Sequence, residues 1–281
     1  MPKTNQSKTI IWVALLLFGL PLFWVAWLLM STEFNFDPEA AKSVNKIGFN
    51  LAFGETQWWY LMINLGSVFF PFVLSFDKKV HFYKKWKYLF PAMLLPALLY
   101  VVWDIYFTSI GVWSFNEAYI TGFKLWNLPI EEVLFFIIVP YCCIFIYECI
   151  RCYFPTIKNH SSANLLLKGM AVTLLILGCY FYNRQYTSLT FIFLSIFIAI
   201  LFNAKSLLKD FHATYFLIAY AIVLIPFLIV NGFLTAIPVV IYTDMENLGR
   251  RIYTIPVEDI FYGMLLVMMD IAIYEKLRNR G

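Results

Sequence analysis

Charge is scarce in this chain. Of its 281 residues only 14% are Asp, Glu, Lys or Arg, against 62% hydrophobic and 20% aromatic; soluble domains carry about 25% charged and 45–50% apolar residues. An ordinary soluble domain is thereby excluded. A net charge of +4, spread over loops, also leaves no basic face of the kind nucleic acid requires. Histidine is rarer still: His81, His160 and His212 all stand in or beside basic loops. The five cysteines are Cys142, Cys143, Cys149, Cys152 and Cys179, and "CIRC" is formally a CxxC. No second pair or neighbouring His completes a ligand set, so no metal is expected. GxGxxG is absent, and with it the phosphate-binding turn of a dinucleotide fold; no cofactor is expected.

What is abundant is long apolar runs. Runs of about 17–25 residues span the hydrocarbon core as helices, and eight such segments are read at 10–30, 59–76, 88–107, 132–150, 165–182, 187–203, 213–234 and 259–274. The first is also readable as an uncleaved signal or simple anchor, because it has no convincing small-residue cleavage site. Asp77–Lys87 holds five lysines against one aspartate; Arg151, Lys158 and Lys168, then Lys205 and Lys209, then Lys276, Arg278 and Arg280 follow on alternate loops. The positive-inside bias puts these loops and both termini on the cytoplasmic side. The intervening loops are acidic or mixed. The fold class expected is an all-α bundle of about eight transmembrane helices.

The chain repeats itself. A shift that lays Thr108 on Thr235 also lays Gly122 on Gly249, Pro129 on Pro256, Glu131 on Glu258, and Tyr147–Glu148 on Tyr274–Glu275. Asp104 meets Asn231, Lys124 meets Arg251 and Glu132 meets Asp259. Generic hydrophobicity would not keep acids, Gly and Pro in one register. The expected organisation is an N-terminal helix and polar connector (1–58), a first repeat (59–154), a linking helix (155–186) and a second repeat (187–281). Three spans per repeat and one between leave both repeats in the same orientation, related by a pseudo-two-fold axis along the membrane normal.

Within each repeat, "NLPIEEVLFF" and "TIPVEDIFYG" set two acids at the start of a span. Pro129 and Pro256 suit a first helical turn, where N–H groups favour anions. The bland reading makes Glu131, Glu132, Glu258 and Asp259 capping carboxylates paired with Lys124, Arg250 and Arg251. Two copies in register, with Asp104 and Asn231 at matching depth, favour a site, since ionisable groups at the edge of a span are costly. Desolvation raises a carboxyl pKa and cationic neighbours lower it, so such a cluster can hold one proton for general acid work. Trp103, Trp113 and Trp126 in the first repeat, and Phe233, Tyr253 and Tyr262 in the second, stand among further aromatics such as Phe115 and Tyr242. An interfacial belt accounts for most of them; an aromatic pocket beside an acid would also stabilise a carbocation. Asp270, mid-span, is expected to pair with a neighbouring helix, and Glu148 and Glu275, ~25 Å along the helix from the first-turn acids, with the basic loops.

The paired "PIEE" and "PVED", with "WD" before the first and "NGFLT" before the second, resemble the membrane-integral lycopene beta-cyclase family. That family includes the heterodimeric actinobacterial type and the fused forms of archaea, fungal bifunctional proteins and Bacteroidetes-like bacteria. The resemblance covers about 59–277. It implies carotenoid biosynthesis: cofactor-free cyclisation of the ψ-ends of lycopene to β-ionone rings, with Glu131, Glu132, Glu258 and Asp259 as the essential acids. On that footing Glu131→Gln or Glu258→Gln is expected to abolish cyclisation. Lycopene and membrane lipid are the implied partners, with room for association with other carotenoid enzymes, and a bacterial inner membrane is the implied location. A transporter of three-plus-one-plus-three topology is the rival from another class, with Pro140 and Pro226 as its helix breaks; a cyclase for another carotenoid is the rival within the enzyme class.

Overall fold

A computed structural model describes residues 56–203 and 211–279; the expected span at 10–30 lies outside them. The described residues form seven helices: α1 (Trp59–Leu74), α2 (Trp86–Ser109), α3 (Ile130–Tyr153), α4 (Ser161–Tyr180), α5 (Gln185–Asn203), α6 (Ala213–Ala236) and α7 (Glu258–Arg278). They fall on the seven later predicted spans. Five of them, α2 to α6, are long and apolar enough to cross a membrane. Helix α1 is shorter, at 16 residues. Helix α7 is less apolar because it carries Glu258, Asp259, Asp270 and Glu275, and its packing explains the tolerance: α2, α3, α5 and α6 all wall it in. Pro140 and Pro226 lie inside α3 and α6 without interrupting them, as tightly neighboured membrane helices allow.

Packing repeats as the sequence does. Helix α1 lies on α3 as α5 lies on α7, and each repeat lends its middle helix to the other: α2 packs on α7, α6 on α3. Helix α4 sits outside, along α5 and α6. Two short strands join the repeats, β1 (Trp113–Phe115) and β4 (Val240–Tyr242), paired antiparallel with Ser114 opposite Ile241. Those two residues are equivalents under the repeat, so the pair is isologous and the pseudo-two-fold axis passes through it. Each repeat also builds the same hairpin ahead of its last helix. In the first, β2 (Lys124–Leu125) pairs with β3 (Leu128–Pro129); in the second, β5 (Arg251–Ile252) pairs with β6 (Ile255–Pro256). Trp126 and Tyr253, at the two hairpin tips, share left-handed φ of 55° and 58°, and Gly122 and Gly249 share φ of 85° and 65°.

At the opposite end, charges knit helix ends together. Glu148 pairs with Lys85 and with Arg278 at 2.8 Å, while Glu275 pairs with Arg151 and with Arg278 at 2.8 Å. The expected partnership of Glu148 and Glu275 with basic groups is therefore present.

Candidate active site

The hairpins decide where the acids go. Pro129 and Pro256 lie in β3 and β6, not in the first helical turn as expected: each is held opposite a basic residue of its hairpin. The acids that follow then diverge. Glu131 Oε1 accepts from Thr121 N at 2.7 Å and Thr121 Oγ1 at 2.6 Å. Glu258 Oε1 accepts from Leu248 N at 2.7 Å and Thr187 Oγ1 at 2.6 Å. Thr121 and Leu248 are repeat equivalents, so the first acid of each pair plays the same part, fastening the preceding loop to the helix start. Both are 0% exposed, and neither lines the central cavity.

The second acids face inward. A cavity on the pseudo-two-fold axis, with about 700 Å³ between its lining atoms including the mouth, takes in Glu132, Asp259, Asp104 and Asn231 together. Its walls are aromatic, with Trp113, Phe115, Phe135, Phe136 and Phe227 among them. Every carboxyl in it is held by phenols. Tyr60 Oη donates to Glu132. Tyr186 Oη and Tyr242 Oη donate to the two oxygens of Asp259 at 2.5 and 2.9 Å. Tyr262 Oη donates to Asp104 at 2.6 Å, and Asp104 and Glu132 line the same cavity. Tyr242, on β4 outside the spanning helices, has its phenol pushed well above the usual range by burial first and by Asp259 next, which keeps it a donor. Asn231, the counterpart of Asp104, turns its amide N–H to Phe227 O at 3.3 Å.

The structure thus brings Asp104, Glu132, Asp259, Asn231, Trp113 and Tyr262 into one chamber. Trp103 stands one layer back, its ring 5.1 Å from that of Tyr262. Trp126, Tyr253 and Phe233 lie outside it, 80%, 53% and 45% exposed. Two of the basic residues expected beside the acids pair with loop carboxylates: Lys124 with Glu117 and Arg251 with Asp244, each at 2.5 Å. The Arg250 carbonyl accepts from Val257 N at 3.0 Å. Asp270 is fully buried, and neither of its oxygens has a hydrogen-bond partner among the described residues, so the expected interhelical pairing is not made. Sequence reasoning misses Tyr60 and Tyr186 and counts Tyr242 only as wall. Tyr60 and Tyr186 are equivalents only if the register slips by one residue between the first and middle helices of each repeat, which an ungapped comparison hides.

A family model described as lycopene cyclase matches the chain twice, over residues 57–150 and 183–277. No curated protein matches, and no solved structure does.

Proposed function

This chain belongs to the lycopene cyclase family, and we propose that its shared chamber cyclises the ψ-ends of lycopene to β-ionone rings by proton transfer alone. The observation that carries this reading is the convergence of Asp104, Glu132 and Asp259 from both repeats in one aromatic chamber. The Asp104–Glu132 pair, sharing a proton, is the general acid. It protonates the terminal double bond, and the resulting tertiary cation is attacked by the nearby internal double bond, which closes the ring and moves the charge onto it. Asp259, with a phenol donating to each oxygen, is the base that takes the ring proton and leaves the β-ring double bond. One proton enters and one leaves, so the chemistry is an isomerisation needing no redox partner.

The aromatic walls stabilise the cation by interaction with their π faces, on the order of 1–2 kcal/mol each when desolvated. Glu131 and Glu258 position the loops that roof the chamber. The chamber's carboxyls lie toward the non-cytoplasmic face on the positive-inside reading, with the Glu148–Glu275 network at the cytoplasmic end. The two repeats, 59–154 and 187–281, act as one catalytic unit joined by the segment 155–186. The transporter reading loses its motivation, because α3 and α6 run unbroken through their prolines.

The test is pigment chromatography from a lycopene-accumulating host expressing the full chain or a variant. Wild type should consume lycopene and yield monocyclic and bicyclic β-ring products; Glu132→Gln, Asp104→Asn and Asp259→Asn should leave lycopene unchanged with protein still in the membrane. Unchanged lycopene with wild type, its membrane insertion verified, would overturn the reading.

A further inference from the structure

The pseudo-symmetry of the bundle is broken on one flank. Helices α1 and α6 pack along each other, but their repeat equivalents α5 and α2 make no comparable contact. The gap between α5 and α2 is an apolar groove of about 500 Å³, walled by Leu99 and Tyr106 of α2 and by Leu189, Phe193, Ile196 and Ile200 of α5, and floored by Leu265 and Met269 of α7. From Leu189 to Ile200 it runs roughly 16 Å along the helix, at 1.5 Å per residue. Its side chains are open to the surrounding membrane: Leu99 is 49% and Ile196 47% exposed.

Groove and chamber are separated by one layer of aromatic rings. Tyr100 and Trp103 line the groove, and their rings stand 4.7 and 5.1 Å from that of Tyr262, which lines the chamber. Trp103 also meets Phe193 across the groove, edge to face at 4.9 Å. Its indole N–H is buried without a hydrogen-bond partner among the described residues, a cost that a resting position ordinarily avoids. On the other flank, where α1 and α6 close together, the position of Trp103 is taken by Val230.

We propose that this groove holds the acyclic polyene chain of the substrate while its end reacts in the chamber, and that Trp103 and Phe193 gate the passage between them. The proposal rests on the cyclase reading and adds to it a side, a path and a binding surface. The chemistry of substrate and groove identifies the occupant. A carotenoid hydrocarbon is far longer than a chamber closed by phenols and carboxyls at its polar end, so most of its length lies outside. It reaches the protein dissolved in the membrane, and the groove faces that solvent. An acyclic polyene is straight and wholly apolar, which a long apolar helix-to-helix groove accommodates.

The experiment fills the groove without touching the chamber. Full-length Ile196→Trp and, from the opposite wall, Leu99→Trp are compared with wild type in liposomes loaded with lycopene, by initial rate against lycopene content. Ile229→Trp, on the membrane-facing side of α6 where Ile229 is 56% exposed, is the control for bulk alone. Both groove variants should lose kcat/KM roughly tenfold, the burial of a couple of methylene groups, mostly through a raised KM, while Ile229→Trp stays at the wild-type value. Wild-type kinetics in both groove variants would mean that the groove holds membrane lipid only, and would overturn the proposal while leaving the cyclase reading intact. An equal loss in Ile229→Trp would overturn it too, by showing a general effect of bulk. Inactive wild type would instead remove the cyclase reading on which the proposal stands.

Discussion

Glu131 and Glu132 are neighbours in the sequence and take up different work, as do Glu258 and Asp259. The first of each pair accepts from a loop N–H and a threonine hydroxyl; the second faces the chamber. The motif made all four acids visible, but nothing in it separates them, because the separation depends on which side of a helix start the preceding hairpin lies. On the proposed mechanism the critical substitutions are those of the second acids rather than the first. Glu132→Gln, Asp104→Asn or Asp259→Asn should lower cyclisation by about a hundredfold or more, the range for losing a general acid or base, with wild-type levels of membrane protein. Glu131→Gln keeps an accepting oxygen for Thr121 and should retain most activity. Glu131→Ala strands two partly buried donors of Thr121 and should lower the melting temperature, at a cost of about 1 kcal/mol. Pigment yield normalised to protein level separates these outcomes; inactivity of Glu131→Gln at normal protein level would contradict the division. The phenols offer a second check. Phe115 occupies the place in its repeat that Tyr242 has in the other, so a ring without a hydroxyl fits there. Tyr242→Phe should keep the fold and lose roughly tenfold or more in kcat, the worth of one hydrogen bond to a charged group. An unchanged kcat would remove Tyr242 from the chemistry.

At the scale of elements, the helices were readable because membrane spans announce themselves by length and composition, and the seven described ones fall close to where the apolar runs put them. The hairpins were not readable. Strands of two residues leave no alternation to detect, and the positive φ of Trp126 and Tyr253 has no sequence signal in a non-glycine residue. Sequence alone therefore groups the exposed Trp126 and Tyr253 with the pocket and leaves out Tyr60 and Tyr186, at the starts of α1 and α5. Asp270 shows a similar limit: composition marked it as anomalous, and only packing shows it without a hydrogen-bond partner among the described residues. Two hairpin outcomes follow. Trp126→Ala should leave cyclisation at the wild-type level, because its ring lies outside the chamber, whereas Trp113→Ala should reduce it. Gly122→Ala forces a side chain into the left-handed region, about 1–2 kcal/mol, and should lower the melting temperature of the purified protein. A melting temperature equal to that of wild type would argue that the loop before α3 adopts another conformation.

For the whole molecule, the repeat is more than a duplication in line. Because α2 packs on α7 and α6 on α3, each repeat completes the other's core, and the chamber takes carboxyls from both. The repeat was visible in aligned acids, glycines and prolines; the exchange of middle helices was not, since sequence periodicity carries no information about which equivalent packs on which. A chain cut in the 154–160 segment and co-expressed as two pieces should regain cyclase activity, while neither piece alone should have any. Activity in a single piece would contradict a site built from both halves.

On the proposed mechanism ring closure begins with a proton from the buried Asp104–Glu132 pair and ends with one taken by Asp259. The most direct test is a single turnover on lycopene by protein equilibrated in heavy water, read by mass spectrometry of the cyclised product. One deuterium for each ring formed, and no product from Glu132→Gln or Asp104→Asn, is the predicted result. Ring product free of deuterium, or full activity in those variants, would contradict it.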